Sequence, residues 1–257
     1  MLFIDKGLRS ERKAAEGALR HGAKALAQTP GVNRVNYDTV MESSANQGHV
    51  LHTSLLTSLL VEQGYLCAYC MRRIDERTAH IEHYLVRHPS DEYVQALNRR
   101  GYTYDRDEAD RQSLNYRNLL AVCDGGSDNP TGKKCCDKSR SDSRWESIPL
   151  HISPLEQWHV ATISYSPKGM IRSTDPQFDQ DLTGPLNLNE TALGLPAARE
   201  SVLKRVQQRV SKRRDGKQLL KTQLEKERDT LLERRDGRLD PYVGIALWWL
   251  TKQIEKR

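Results

Sequence analysis

The chain has 257 residues, of which 37% are hydrophobic, 29% are charged and 6% are aromatic. This composition favours a helical protein with much surface over a sandwich or a barrel, and no run approaches the ~18 apolar residues of a membrane span. The first residues lack the apolar segment of a signal peptide, so we predict a cytoplasmic protein.

Positive charge is concentrated towards the C-terminal end of the sequence. The formal net charge is +6, and residues 197–239 alone carry fourteen Lys and Arg against seven Asp and Glu. A basic helical stretch can bind phosphate backbones or an acidic partner. The same charges are also typical of a solvated helix face, so both interpretations stay open.

Residues 1–63 are predicted to form an N-terminal helical segment. One helix begins at Ser10, whose side chain suits an N-cap, and ends before a Pro-Gly pair. A second helix spans roughly residues 49–63, where leucines recur on one face, and ends at Gly64. Residues 64–150 lack helical periodicity and contain every cysteine of the chain.

Two smaller segments follow. Residues 151–195 are predicted to hold a small hairpin, turned at the Pro-Lys-Gly sequence of residues 167–169, and then a loop. Residues 196–257 are predicted to be basic C-terminal helices that form a helical hairpin, because the amphipathic pattern is interrupted at Asp215-Gly216. The closing stretch "DPYVGIALWWLTKQIEKR" predicts a short amphipathic helix.

The chain contains five cysteines, namely Cys67, Cys70, Cys123, Cys135 and Cys136. An odd number in a cytoplasmic protein is more typical of metal ligands or free thiols than of a disulfide framework. A tetrahedral zinc site needs four soft or imidazole ligands. The first three cysteines and one of the adjacent pair can supply them, with His80 as a lesser alternative. A redox role for the Cys-x-x-Cys pair is a further alternative, although no βαβ pattern surrounds it.

Three motifs around these cysteines resemble the HNH endonuclease family. They are the Glu-His dipeptide after the Cys-x-x-Cys pair, then "NLLAVC", and then "CCDKSR" after a Gly-rich loop. The resemblance implies a ββα-metal unit held together by a zinc knuckle. The predicted fold class is therefore α+β and mainly helical: a ββα-metal HNH core with a zinc knuckle, flanked by N-terminal helices and a C-terminal helical hairpin.

Further stretches are similar to the nuclease subunit of Septu-type anti-phage defence systems, which is called PtuB. They are "FIDKG", "CAYCMRRI", "CDK" and "GPLNLN", and the resemblance extends to about Asn189. It implies an ABC-type ATPase subunit (PtuA-like) as partner and DNA or RNA as substrate. In a retron-associated version of the system, a reverse transcriptase with its DNA and RNA would be a further partner.

The HNH motif assigns roles to individual residues. By this resemblance, His83 aligns with the general base that activates water, and Glu82 and Asp137 take the places of the metal ligands. Two carboxylates form a hard oxygen site, which favours Mg²⁺ or Mn²⁺ over zinc. The motif places the last knuckle cysteine directly before its third residue, which favours Cys136 over Cys135 as the zinc ligand.

Two more positions follow from the same resemblance. Asn118 matches the middle motif residue and is expected to tie together the loop that carries His83. Arg140 stands where the family usually has Lys and is expected to bind a phosphate of the substrate. His80 and His88 match no motif position and are predicted to be bystanders.

Departures from the family pattern point to an alternative function. The first motif acid is Glu rather than Asp, and the third motif residue is Asp rather than His or Asn. The spacer "CDGGSDNPTGKKCC" is also longer than usual. The alternative to a nuclease is therefore a zinc-stapled binding or adaptor module whose catalysis is weak or lost.

Overall fold

The structure is a computed structural model that describes residues 1–7, 10–43, 47–213 and 221–257. About half of the chain is helical, and two small antiparallel sheets accompany the helices in the described residues. The helices are α1 (Ser10–Ala27), α2 (Tyr37–Glu42), α3 (Gln47–Glu62), α4 (Asp91–Arg99), α5 (Arg106–Ser113), α6 (Cys136–Arg140), α7 (Gln157–Ala161), α8 (Pro176–Thr183), α9 (Leu195–Arg213), α10 (Lys221–Leu232) and α11 (Val243–Glu255). The strands are β1 (Ala79–His83), β2 (Leu119–Cys123), β3 (Ile163–Tyr165) and β4 (Ile171–Ser173). The α+β class predicted from the sequence is confirmed.

Both predicted N-terminal helices are present as α1 and α3. After α3 the chain turns at Gly64, whose φ of +62° lies in the left-handed region that glycine adopts without a steric cost. A β-carbon at this position would lie 2.7 Å from the Leu239 side chain. Since α1 and β2 both pack against α3, this helix supports the central sheet.

The central sheet pairs β1 with β2 in antiparallel orientation, with Ala79 opposite Cys123 and His83 opposite Leu119. Every residue of β2 is buried, which fits its uninterrupted apolar run "LLAVC". The short helix α6 packs on β2. In chain order, β1, β2 and α6 therefore form a ββα arrangement.

Helices also lie between β1 and β2, where the sequence predicted none. Both α4 and α5 begin with a side-chain cap: Ser90 Oγ accepts from the Tyr93 N–H at 3.2 Å, and Asp105 Oδ1 accepts from the Glu108 N–H at 2.7 Å. These caps, and in α4 the buried Tyr93 and Leu97 four positions apart, are the signals that sequence reasoning missed. The two helices share a small second core.

The predicted small hairpin is confirmed as β3 and β4, which pair in antiparallel orientation. The predicted interruption at Asp215-Gly216 lies outside the described residues. Helix α11 packs against both α9 and α10, and the Arg209–Glu227 ion pair, at 3.0 Å, joins α9 to α10. The two helices of the expected hairpin, α9 and α10, therefore pack together with α11 as a group of three helices.

One main hydrophobic core draws on all four segments predicted from the sequence. Its members include the fully buried Leu59, Leu120, Leu186 and Leu250, one from each segment. The five cysteines belong to the same core. No helix in the described part of the chain is long and apolar enough to cross a membrane.

Candidate functional site

Four cysteine side chains converge at one end of the central sheet. Cys67 and Cys70 lie in the turn after α3, Cys123 ends β2 and Cys136 begins α6. All four are buried, and their sulfur atoms lie within 4.8 Å of one another. The group can therefore hold a metal ion such as zinc.

The separations between these sulfur atoms match tetrahedral coordination. Three Sγ–Sγ distances are 3.8 Å each: Cys67 to Cys136, Cys70 to Cys123, and Cys123 to Cys136. Four sulfur atoms placed about 2.3 Å from a zinc ion form a tetrahedron with edges of about 3.8 Å. A disulfide would require about 2.0 Å, so the geometry fits a shared ion and not a bridge.

Of the two adjacent cysteines, Cys136 belongs to the sulfur group and Cys135 does not. Cys136 has a left-handed backbone conformation, with φ at +55°, and its N–H donates to the Leu186 carbonyl at 2.9 Å. The Cys135 N–H donates to the Gly125 carbonyl at 2.9 Å, which closes the loop after β2. Membership of Cys136 agrees with the preference that the HNH motif gave.

The Cys-x-x-Cys turn is fixed by its own backbone. The Met71 N–H donates to the Cys67 carbonyl at 3.0 Å, and the Cys67 N–H donates to the Arg72 carbonyl at 2.9 Å. The Arg72 N–H also donates to Cys70 Sγ at 3.5 Å. A donor aimed at sulfur favours the thiolate form that a metal ion binds.

Gly125 is expected to tolerate substitution poorly because the loop after β2 closes tightly around it. Its φ is +62°, and an added Cβ would lie 2.6 Å from the Cys135 carbonyl oxygen and 2.6 Å from Lys138 Cβ. We expect Gly125→Ala to weaken metal retention and to lower the melting temperature. The clash adds roughly 1–3 kcal/mol to the ~1–2 kcal/mol of a left-handed residue that has a side chain.

Gly132→Ala, in the same loop, is the matched control for this substitution. Gly132 has a φ of +66°, but no atom lies within 4 Å of the Cβ that alanine would add. Both variants carry the conformational cost, so the difference between their thermal melting curves measures the clash alone. Equal shifts in melting temperature would contradict the expected role of Gly125.

Four of the five residues that the HNH resemblance singled out, all but Asn118, line one open pocket of about 410 Å³, which we call the carboxylate pocket. Glu82 and His83 come from β1, and Asp137 and Arg140 come from α6. Glu82 and Arg140 are 58 positions apart in the sequence, yet they are in direct contact. The ββα arrangement thus assembles the pocket from two distant motifs.

Arg140 points into the protein, where its side chain is only 4% exposed. Its Nη1 donates to Glu82 Oε1 at 2.6 Å, and its Nη2 donates to the Tyr84 carbonyl at 2.7 Å. The guanidinium therefore holds Glu82 and the chain that follows β1. Phosphate binding by Arg140, as predicted from the motif, would require this ion pair to open.

Two carboxylates approach each other in the pocket. Burial and the neighbouring Asp137 carboxylate raise the pKa of Glu82 to about 8, although Arg140 opposes the shift. Burial also acts to raise the pKa of Asp137, but hydrogen bonds with His80 and Glu82 outweigh it and lower the pKa to about 2. At pH 7 the two carboxylates therefore share one proton. A divalent cation between the two carboxylates would take the place of that proton.

His80, predicted to be a bystander, contacts this pair directly. Its Nε2 lies 2.9 Å from Asp137 Oδ2. His80 precedes Glu82 by two positions on β1, and alternate residues of a strand share one face. This alternation is the sequence signal that could have placed His80 beside the carboxylates.

His83 is buried, with one ring nitrogen engaged. Its Nε2 lies 3.1 Å from the Ser113 carbonyl oxygen, an acceptor that requires the proton to be on Nε2. In the neutral ring, Nδ1 then carries the lone pair. The Tyr37 ring meets the imidazole edge-on, with the centroids 4.8 Å apart. Burial and the nearby Arg87 guanidinium lower the pKa of His83 to about 4, so the ring is neutral at pH 7.

Asn118 joins the chain after β1 to the chain before β2. Its Oδ1 accepts from the Leu85 N–H at 2.7 Å, and its Nδ2 donates to the carbonyls of Leu85 and Gln112 at 2.9 and 3.0 Å. The Asn118 carbonyl also accepts from the Tyr84 N–H at 2.9 Å. These bonds fix the loop that follows His83. They agree with the supporting role that the motif predicts for Asn118.

The carboxylate pocket offers fewer ligands to a metal ion than the cysteine group does. Within the described ranges, the four cysteines are the only set of three or more His, Cys, Asp or Glu side chains close enough together to hold an ion. Glu82 and Asp137 fit a hard cation that keeps several waters or takes oxygens from a substrate, as Mg²⁺ does.

Comparison with known proteins does not assign a family. No family model matches the sequence, and no curated protein matches it significantly. A functional assignment therefore depends on the cysteine group, the carboxylate pocket and the sequence motifs that form them.

Proposed function

We propose that the chain is a metal-dependent HNH endonuclease that hydrolyses phosphodiester bonds of DNA or RNA. The observation that carries the proposal is the carboxylate pocket, which Glu82, Asp137 and a neutral His83 all line. The ββα order of β1, β2 and α6 and the adjacent cysteine group support it.

In this proposal the four grouped cysteines bind a structural zinc ion. They fill all four tetrahedral positions, so no position is open for water or substrate. Such a site contributes to folding and not to chemistry. Its place at the junction of β2 and α6 would fix Asp137, which follows Cys136 directly.

The proposed reaction begins with a water molecule that attacks the phosphorus atom. His83 Nδ1 takes the proton of this water while the new oxygen–phosphorus bond forms and the bond to the leaving oxygen breaks. The Ser113 carbonyl keeps the other proton of the ring on Nε2. Glu82 and Asp137 would hold Mg²⁺ or Mn²⁺, which when bound stabilises the charge on the leaving oxygen.

We also propose that this nuclease is the effector of an anti-phage defence complex with an ABC-type ATPase, as the Septu resemblance implies. A retron reverse transcriptase and its DNA and RNA would join a retron-associated version. Arg205, Arg209 and Lys212 line one groove on α9, and they give nucleic acid or an acidic face of the ATPase a basic surface.

The alternative function is a zinc-stapled adaptor without catalysis, and the inward position of Arg140 favours it. Arg140 already donates to Glu82 Oε1 at 2.6 Å, and its positive charge opposes the approach of a cation to that carboxyl group. In this case the pocket would be a structural remnant, and the basic C-terminal helices would carry the function.

The test is a cleavage assay of the zinc-loaded protein on plasmid DNA and on cellular RNA, with Mg²⁺, with Mn²⁺ and with neither. We expect cleavage of at least one polymer that requires the added ion. Asp137→Asn should abolish cleavage, whereas Asp142→Asn, which changes an exposed carboxylate paired with Arg144, should not. Binding without cleavage under every condition, with the ATPase present as well, would establish the adaptor.

A further inference from the structure

The mouth of the carboxylate pocket carries two cations that the HNH motif does not explain. Arg87 lines it from the loop after β1, and Lys138 lines it from α6. The Arg87 side chain is 39% exposed, against 4% for Arg140. Arg87 and Lys138 are therefore the accessible cations of this pocket, which the acidic residues Glu82, Asp137 and Glu146 also line.

Arg87 is held in one orientation by helix α2. One oxygen of the Asp38 carboxylate accepts from Arg87 Nη1, and the other lies 2.8 Å from His88 Nε2. The guanidinium carbon lies 5.6 Å from the centroid of the Tyr37 ring, and that ring meets His83 edge-on. One aromatic ring therefore separates the Arg87 guanidinium from the proposed general base.

The chemistry of the two side chains specifies the ligand. A guanidinium presents paired donors that match two oxygens of a phosphate, and an ammonium acts as a point charge. Lys138 is partly exposed and lines the pocket, and it is in none of the described ion pairs. Close to a base that activates water, such a pair of cations is suited to a phosphodiester and its neighbouring phosphate.

We infer that Arg87 and Lys138 bind backbone phosphates of a nucleic acid at the mouth of the pocket, the role that the motif alone assigned to Arg140. The inference rests on the proposed nuclease function, because it takes a phosphodiester as the ligand. Backbone phosphates are common to DNA and RNA, so these two residues position the polymer and do not select it.

The test measures binding of a short fluorescein-labelled DNA, single-stranded and duplex, and of RNA of the same sequence, to the His83→Ala chain. Affinity is followed over a series of salt concentrations. We expect Arg87→Gln and Lys138→Gln each to weaken binding about tenfold, and to reduce the slope of log affinity against log salt by about 0.7–0.9. A residue with a purely structural role would leave this slope unchanged.

Two further variants sharpen the test. Arg87→Lys keeps the charge and loses the paired donors, so it should restore the slope without restoring the full affinity. Arg106→Gln is the matched control, since this guanidinium is 75% exposed, pairs with Asp91 at 3.6 Å and lies outside the pocket. Its affinity and slope should equal those of the parent chain.

The possible outcomes separate this inference from the nuclease proposal. If the wild-type chain cleaves but both glutamine variants bind with unchanged affinity and slope, the phosphate assignment is overturned and the nuclease proposal stands. If the wild-type chain neither binds nor cleaves any of the polymers, both are overturned. Arg87→Gln also loses the contact with Asp38. If its melting temperature falls below that of the parent chain, the affinity and salt slope of Lys138→Gln alone test the phosphate assignment.

Discussion

Replacing Cys136 with serine is expected to release the proposed zinc ion and to unfold the protein. Its Sγ lies 3.8 Å from the Sγ atoms of Cys67 and Cys123 in the sulfur group. Metal binding at such sites contributes roughly 10–16 kcal/mol in zinc-finger peptides, which is comparable to the ~5–15 kcal/mol total stability of a domain. Zinc per chain and the thermal melting curve, recorded on the same samples, measure the two effects.

Cys135→Ser is the matched control, because the two cysteines are adjacent and equally buried. The chemical change is the same, but Cys135 lies outside the sulfur group. We expect this variant to keep one zinc ion per chain and to melt close to the wild-type temperature. Loss of zinc from Cys135→Ser alone would reverse the two assignments, and retention in both variants would contradict a site of four cysteines.

Replacing His83 with alanine is expected to slow cleavage by about 10²–10⁴-fold, the usual contribution of a positioned general base. The variant should keep its zinc and its affinity for nucleic acid, because His83 belongs neither to the sulfur group nor to the cations at the pocket mouth. The measurement is the single-turnover cleavage rate, with Mg²⁺ or Mn²⁺ present, on whichever polymer the wild-type chain cuts faster.

Two controls make this result specific to proton transfer. His21→Ala removes an exposed imidazole from α1 and should leave the rate unchanged. Added imidazole should partly restore cleavage by His83→Ala, since a free base can then enter the space that the side chain left. Undiminished cleavage by His83→Ala would remove the base assignment, while the metal requirement would still support a nuclease.

The cysteine group could be predicted from the sequence because zinc coordination depends on residue type more than on surroundings. Five cysteines allow few different sets of four zinc ligands. The structure brings Cys67, Cys70, Cys123 and Cys136 together, in agreement with the prediction. Helix α1 was predicted from its N-cap residue and the Pro-Gly pair that ends it, and α3 from leucines that recur on one face. Between β1 and β2 the same reasoning missed both helices: α4 is only nine residues long, with Tyr93 and Leu97 as its buried apolar pair, and α5 buries Ala109 as its one apolar residue.

The direction in which a charged side chain points could not be predicted. Arg140 occupies a motif position associated with phosphate, but its guanidinium turns inward and donates to the buried Glu82. Arg87 stays at the pocket mouth because Asp38, which lies 49 positions earlier, accepts its hydrogen bond. No local pattern encodes a pairing across that separation, so the two arginines could be told apart only once the chain was folded.

The loop between α8 and α9 is bonded to both halves of the cysteine site. Three hydrogen bonds make the connection: Cys136 N–H to the Leu186 carbonyl at 2.9 Å, Asn187 Nδ2 to the Lys134 carbonyl at 2.8 Å, and Arg72 Nη2 to the Leu193 carbonyl at 3.1 Å. A fragment that stopped at residue 150 would lose all three. A fragment that keeps these contacts to the cysteine group therefore extends past Leu193.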